Sequence, residues 1–159
     1  SGLETHPPST DGDLRPRRLT VALLGHPYNL YDAYVNHGLL RRLQALGLAA
    51  LTSDAVPADE IRPFAERHQG RTYWTYEHEL AGAAAYYLST GQVDGLIAVA
   101  AFGCGPDAVM LETVQELARR HGKSMLNLIL DEHTGEAGLI TRIEAFADML
   151  ERKLSQRGA

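Results

Sequence analysis

The feature that most constrains this chain is a repeated change in hydrophobic period. Leu19-Thr20-Val21-Ala22-Leu23-Leu24-Gly25 is a short, almost continuous apolar run. Such a run fits a strand covered on both faces. Val35, Leu39, Leu40, Leu43 and Leu46 then recur at helical spacing and stop at Gly47, a C-cap residue. Leu48–Thr52 reads as a second, weaker strand, and Pro57 with Asp59 and Glu60 suits the first turn of a short helix ending near His68. Gln69–Trp74 reads as a loop or extended segment, and Leu80, Ala84 and Leu88 mark a helix closed around Gly91. Asp94–Ala100 is the third apolar run. Val109, Thr113, Val114, Leu117 and Ala118 form a helical face that stops at Gly122. Ser124–Leu130 is the fourth run. Ile140, Ile143, Phe146, Ala147, Leu150 and Leu154 define a last, longest helix, which either starts at a capping box of Thr141 and Glu144 or begins earlier.

Strands alternating with helices predict a parallel sheet with right-handed crossovers and helices on both faces. The expected fold is a three-layer α/β sandwich of the flavodoxin or Rossmann-like kind. Its four-stranded parallel sheet has the order 2-1-3-4. Ligands bind such sheets where the winding reverses, here between strands 1 and 3, at the strands' carboxyl ends.

With 159 residues, the chain has the length of one domain. Residues 1–18, with Pro7, Pro8, Pro16 and Gly12 and few apolar side chains, read as a disordered tail or linker, and residues 19–155 as a single α/β domain. Ser1-Gly2 without an initiating Met reads as a cleavage scar or as the start of a segment cut from a longer protein. Lys+Arg is 15 against 20 Asp+Glu, a net charge of −5. That balance argues against sequence-independent binding to nucleic acid or an anionic membrane. A single cysteine excludes an internal disulfide framework and a four-cysteine zinc site. No apolar run reaches the roughly 18–20 residues that span a bilayer, and the polar N-terminus is no secretory signal. A reducing, cytoplasmic setting is the expectation.

Three polar segments follow strands 1, 3 and 4: Gly25–Asp32, Phe102–Asp107 and Asp131–Glu136. The strand order predicts that they share one rim. Cys104, between Gly103 and Gly105, is the most informative residue there. Flanking glycines let a ligand or cluster approach the backbone, and the helix starting near Pro106 places its positive end close to the sulfur. His26 and His133 each follow a strand directly and are candidate metal ligands, bases or anion donors. Asp131 and Glu132 are placed to orient His133 or bind a cation, and Arg142 to pair with these carboxylates. Tyr28, Tyr31, Tyr34, Tyr73, Trp74 and Tyr76 suit a docking face or the walls of a pocket. His37, His68, His78 and His121 read as solvent-facing. No G-x-x-x-x-G-K phosphate loop occurs.

Gly25-His26-Pro27-Tyr28-Asn29-Leu30-Tyr31-Asp32, Phe102-Gly103-Cys104-Gly105-Pro106-Asp107, and Asp131-Glu132-His133-Thr134-Gly135-Glu136-Ala137-Gly138 with Thr141–Phe146 together resemble a bacterial family. It is the CoA-substrate-specific enzyme activase-related family, DUF2229, related to 2-hydroxyacyl-CoA dehydratase and its ATP-driven activator. The resemblance extends over residues 19–154 and is to the family's C-terminal part. It implies one domain of a larger machine, partnered by other domains of a longer chain and by an ATP-hydrolysing activator. It also implies that Cys104 contributes one metal ligand to a [4Fe-4S] cluster serving low-potential electron transfer, with His26, Gly103, Gly105 and His133 as cofactor contacts. One thiol cannot hold a cubane alone, so the cluster is expected only in the full-length context and the isolated domain should be colourless. Two other readings stand beside it. One is a cysteine-dependent hydrolase or transferase with Cys104 as nucleophile, His133 as base and Glu132 or Asp131 as orienter. The other is a non-catalytic ligand-binding or docking module, including a zinc site of His26, Cys104 and His133.

Overall fold

The structure is a computed structural model that describes residues 18–67, 75–131, 133 and 135–157. The tail through residue 17, Tyr73, Trp74, His68 and Glu132 lie outside the described residues. Elements follow in the order β1 (Thr20–Gly25), α1 (Pro27–Tyr31), α2 (Leu39–Ala45), β2 (Ala49–Thr52), a 3-10 turn (Ser53–Ala55), α3 (Ala58–Arg67), α4 (Thr75–Thr90), β3 (Gly95–Ala101), α5 (Gly105–Arg120), β4 (Ser124–Leu130) and α6 (Glu136–Arg157). The four strands are all parallel and lie in the order β2-β1-β3-β4, as the alternation of periods predicts.

The period-2 alternation of the strands sorts the core into two layers. Val21, Leu23, Ile97, Val99, Leu128 and Leu130 face one side, where Leu30 of α1, Leu39 and Leu43 of α2, and Leu139, Ile143, Phe146 and Leu150 of α6 cover them. Ala22, Leu24, Leu96 and Ala98 face the other, against Phe64 of α3, Leu80, Ala84 and Leu88 of α4, and Met110, Val114 and Ala118 of α5. Two glycines permit close approach. A Cβ on Gly82 of α4 would lie 2.6 Å from Ile61 Cγ2 of α3, and one on Gly25 would lie 2.7 Å from the Val99 carbonyl oxygen. The second contact matters most here, because Gly25 ends β1 hard against β3.

The structure corrects the sequence reading in two places. The helix expected from Val35 begins only at Leu39, and a separate five-residue helix, α1, precedes it. Asn36 makes the break. Its buried Nδ2 donates to the carbonyls of Asn29 (2.9 Å) and Leu30 (2.7 Å), while its Oδ1 accepts from the Gly38 and Leu39 amides. One side chain thus closes α1 and caps α2, with His37 and Gly38 held at positive φ between them. Next, α6 starts at Glu136, five residues before Thr141, and runs to Arg157. Thr141 therefore sits inside the helix, its Oγ1 donating to the Ala137 carbonyl, and caps nothing. Arg142 donates to the Asn127 carbonyl on β4. Arg18, assigned to the tail, donates to the Gly47 and Leu48 carbonyls and so ties the entry to β1 onto the α2–β2 turn. Among the described residues no helix is long and apolar enough to cross a membrane.

Candidate functional site

The rim at the carboxyl ends of β1 and β3 is built from three short segments. Pro27 opens α1 directly after His26, so the chain turns away from the sheet and leaves the imidazole at the strand end. The ring is stacked between two tyrosines, with centroids 4.4 Å from Tyr76 and 5.3 Å from Tyr28. Its Nε2 lies 3.1 Å from Asp107 Oδ1 and 3.9 Å from Glu77 Oε1. Asp107 comes from the first turn of α5, Glu77 from the first turn of α4. Both carboxylates are buried, at 1% and 6% exposure, whereas His26 keeps 19%. The second oxygen of Asp107 accepts the Ala101 amide at 3.2 Å, which fixes the side chain against the end of β3. Glu77 Oε2 is buried without a hydrogen-bond partner among the described residues.

Two further groups brace the end of β1. Tyr76 and Ser53 hydroxyls both approach the Gly25 carbonyl, at 3.4 and 3.5 Å. Burial, with the nearby carboxylates Glu79, Asp54 and Glu77 adding repulsion, pushes the Tyr76 phenol up to about 12. Burial also raises the Tyr28 phenol, and the charges of Asp107 and Cys104 raise it further.

Cys104 is the N-cap residue of α5 and is half-buried. Its amide donates to the Ala101 carbonyl and its carbonyl accepts from Ala108, so the backbone around the sulfur is fixed by the β3–α5 turn. Gly103 takes φ +77°, a conformation that disfavours any side chain. A Cβ added at Gly103 or Gly105 would meet nothing within 4 Å, so both glycines flanking Cys104 border open space. Around this point the rim exposes large apolar side chains: Phe102 at 74%, Tyr28 at 55%, and Tyr31 and Tyr34 nearby in sequence.

His133 behaves differently. It lies in an exposed turn after β4, its amide bonded to Asp131 Oδ1 at 2.9 Å. Asp131 thus holds the backbone of His133. Glu132, the other expected orienter, is outside the described residues. Among the described residues, the histidine and acidic ligand atoms that come together are those of His26, Glu77 and Asp107, all within 4.8 Å of one another. Cys104 and His133 are not members of that group. Sequence reasoning named His26 and quoted Asp107 within its motif but gave Asp107 no role, and it missed Glu77. An acidic residue in the first turn of a helix is usually a solvated partner of the helix dipole, so its burial left no signal in the sequence.

Residues 4–56, a third of the chain, match the family described as CoA enzyme activase uncharacterised domain (DUF2229). The match takes in β1, α1, α2 and β2, and with them His26, and ends before Cys104 and His133. It is narrower than the resemblance over residues 19–154, and the dehydratase relation is not part of it. No curated protein and no solved structure gives a significant match.

Proposed function

We propose that this CoA enzyme activase-type domain is an accessory redox module that presents Cys104 as a single thiolate to a [4Fe-4S] cluster completed by other domains or chains. The observation that carries the reading is the setting of Cys104. It caps α5 at the β1/β3 switch point, half-buried, with open space beside both neighbouring glycines. A switch-point rim is where an open α/β sheet presents its ligand-binding groups. A cluster corner needs room next to one thiol and amides able to face its charge, and Gly103 and Gly105 leave that room.

The described residues do not supply a complete ligand set. The chain has one cysteine, and His26 is engaged with Asp107. The domain therefore offers one ligand, and the exposed Phe102 and Tyr28 beside it form the apolar margin that meets the partner providing the rest. In this reading the cluster supplies low-potential electron transfer driven by an ATP-hydrolysing activator. The chain's own residues hold the sulfur at the start of α5. His133 takes no part as a ligand.

The test is anaerobic isolation of the native protein that carries this sequence, followed by iron and acid-labile sulfide analysis. The expected result is a brown protein whose iron and sulfide are lost in Cys104→Ser. A native protein without iron and sulfide, or a Cys104→Ser variant with undiminished content, overturns the reading.

A further inference from the structure

Among the described residues, the charges at the end of β1 do not balance. Asp107 and Glu77 are buried within 4.8 Å of each other, and the basic group between them is one imidazole. Buried carboxylates without compensation are costly. Glu77 Oε2 adds a second, independent sign, since it is a buried acceptor with no partner among the described residues. A divalent cation bound to a neutral imidazole and two carboxylates brings the sum to zero.

From this geometry we infer a binding site for a first-row divalent transition ion of the zinc class, held by His26 Nε2, Asp107 and Glu77. The His26–Asp107 and His26–Glu77 separations, 3.1 and 3.9 Å, lie inside the span of roughly 4.2 Å set by two ~2.1 Å bonds. The third edge is within 4.8 Å, so a small side-chain rotation closes the set. An imidazole among the ligands selects transition ions over calcium or magnesium, and carboxylates complete a mixed nitrogen and oxygen set. The supports of a metal site are also present. The Ala101 amide orients Asp107, and Tyr76 and Tyr28 clamp the imidazole plane. On binding, Nε2 gives its proton to solvent or carries it on Nδ1 instead. Three protein ligands leave one position open in a four-coordinate set. The inference is independent of Cys104, which contributes no ligand to this site.

The full chain, stripped with EDTA and titrated with Co2+ and then Zn2+, tests it. The expected result is one ion per chain, with visible ligand-field bands and no thiolate charge-transfer band. Glu77→Gln is the decisive variant, because it keeps the shape and relieves the buried charge. Changes to groups that merely support a metal ligand lower affinity about 10–100-fold, so loss of this ligand should weaken Co2+ binding at least about tenfold, with the fold intact by circular dichroism. Asp107→Asn and His26→Gln should do the same. Wild-type protein that takes up no stoichiometric ion, a Glu77→Gln variant that binds as tightly, or a thiolate band abolished by Cys104→Ser each overturns the site.

Discussion

The two halves of the rim were alike in sequence, each a strand followed by a histidine close to acidic residues, yet they fold into different environments. After β1 and β3 the charges go inward. His26, Asp107 and Glu77 are gathered between two helix starts and two tyrosine rings, with both carboxylates buried. After β4 they stay outside: Asp131, His133 and Glu136 are all exposed. The difference follows from position in the sheet. β1 and β3 are inner strands, and the ends of α4 and α5 wall the space above them. β4 is the edge strand, with β3 on one side only. A strand-end histidine becomes part of a buried cluster only where neighbouring elements close over it.

The largest expected effect lies in the inner half. Asp107→Ala removes the bonds to His26 and to the Ala101 amide and should cost about 3 kcal/mol by urea denaturation. Asp131→Ala, the counterpart in the outer half, removes the exposed turn bond to the His133 amide, and its cost should stay below about 1 kcal/mol. Equal losses would break the comparison. Next comes glycine packing. Gly25→Ala drives a methyl against the Val99 carbonyl and should destabilise by about 1–3 kcal/mol. Gly135→Ala meets no neighbour and should be neutral or add a few tenths to about 1 kcal/mol. A tolerated Gly25→Ala would mean that the β1–β3 seam is looser than described.

A smaller effect, visible at alkaline pH, sharpens the picture around His26. Tyr76 is held protonated up to about 12, against 10.0 for an ordinary phenol. A raised pKa contributes stability that is complete below pH 10 and is lost as pH climbs toward about 12, because the unfolded chain ionises first. Wild-type protein should therefore lose stability over that window, and Tyr76→Phe should flatten the loss. Ultraviolet titration should show a tyrosine that ionises near 12 and that this variant removes.

Much of the fold was legible because parallel strands announce themselves. The apolar runs at Leu19–Gly25, Asp94–Ala100 and Ser124–Leu130 fall on β1, β3 and β4, and the glycines at 47, 91 and 122 follow α2, α4 and α5 at positive φ. The failures had a local cause. Hydrophobic spacing from Val35 to Leu46 looked like one helix, but spacing is blind to Asn36, whose amide ends one helix and starts another. Thr141 and Glu144 had the spacing of a capping box inside a helix that was already running. In the site, the convergence of segments after β1 and β3 could be read from strand order. Glu77 could not, because its partners lie 51 residues before it and 30 after it in sequence, and nothing nearby marks it as buried.

The central proposal is that the chemistry of this domain sits in the inner half of the rim, with Cys104 as its redox contact. Electron paramagnetic resonance of the reduced, anaerobically isolated native protein tests it most directly, comparing Cys104→Ser with His133→Ala. The account predicts that the serine variant loses or shifts the cluster signal and that the alanine variant leaves it unchanged. A signal indifferent to Cys104 and altered by His133 would contradict it.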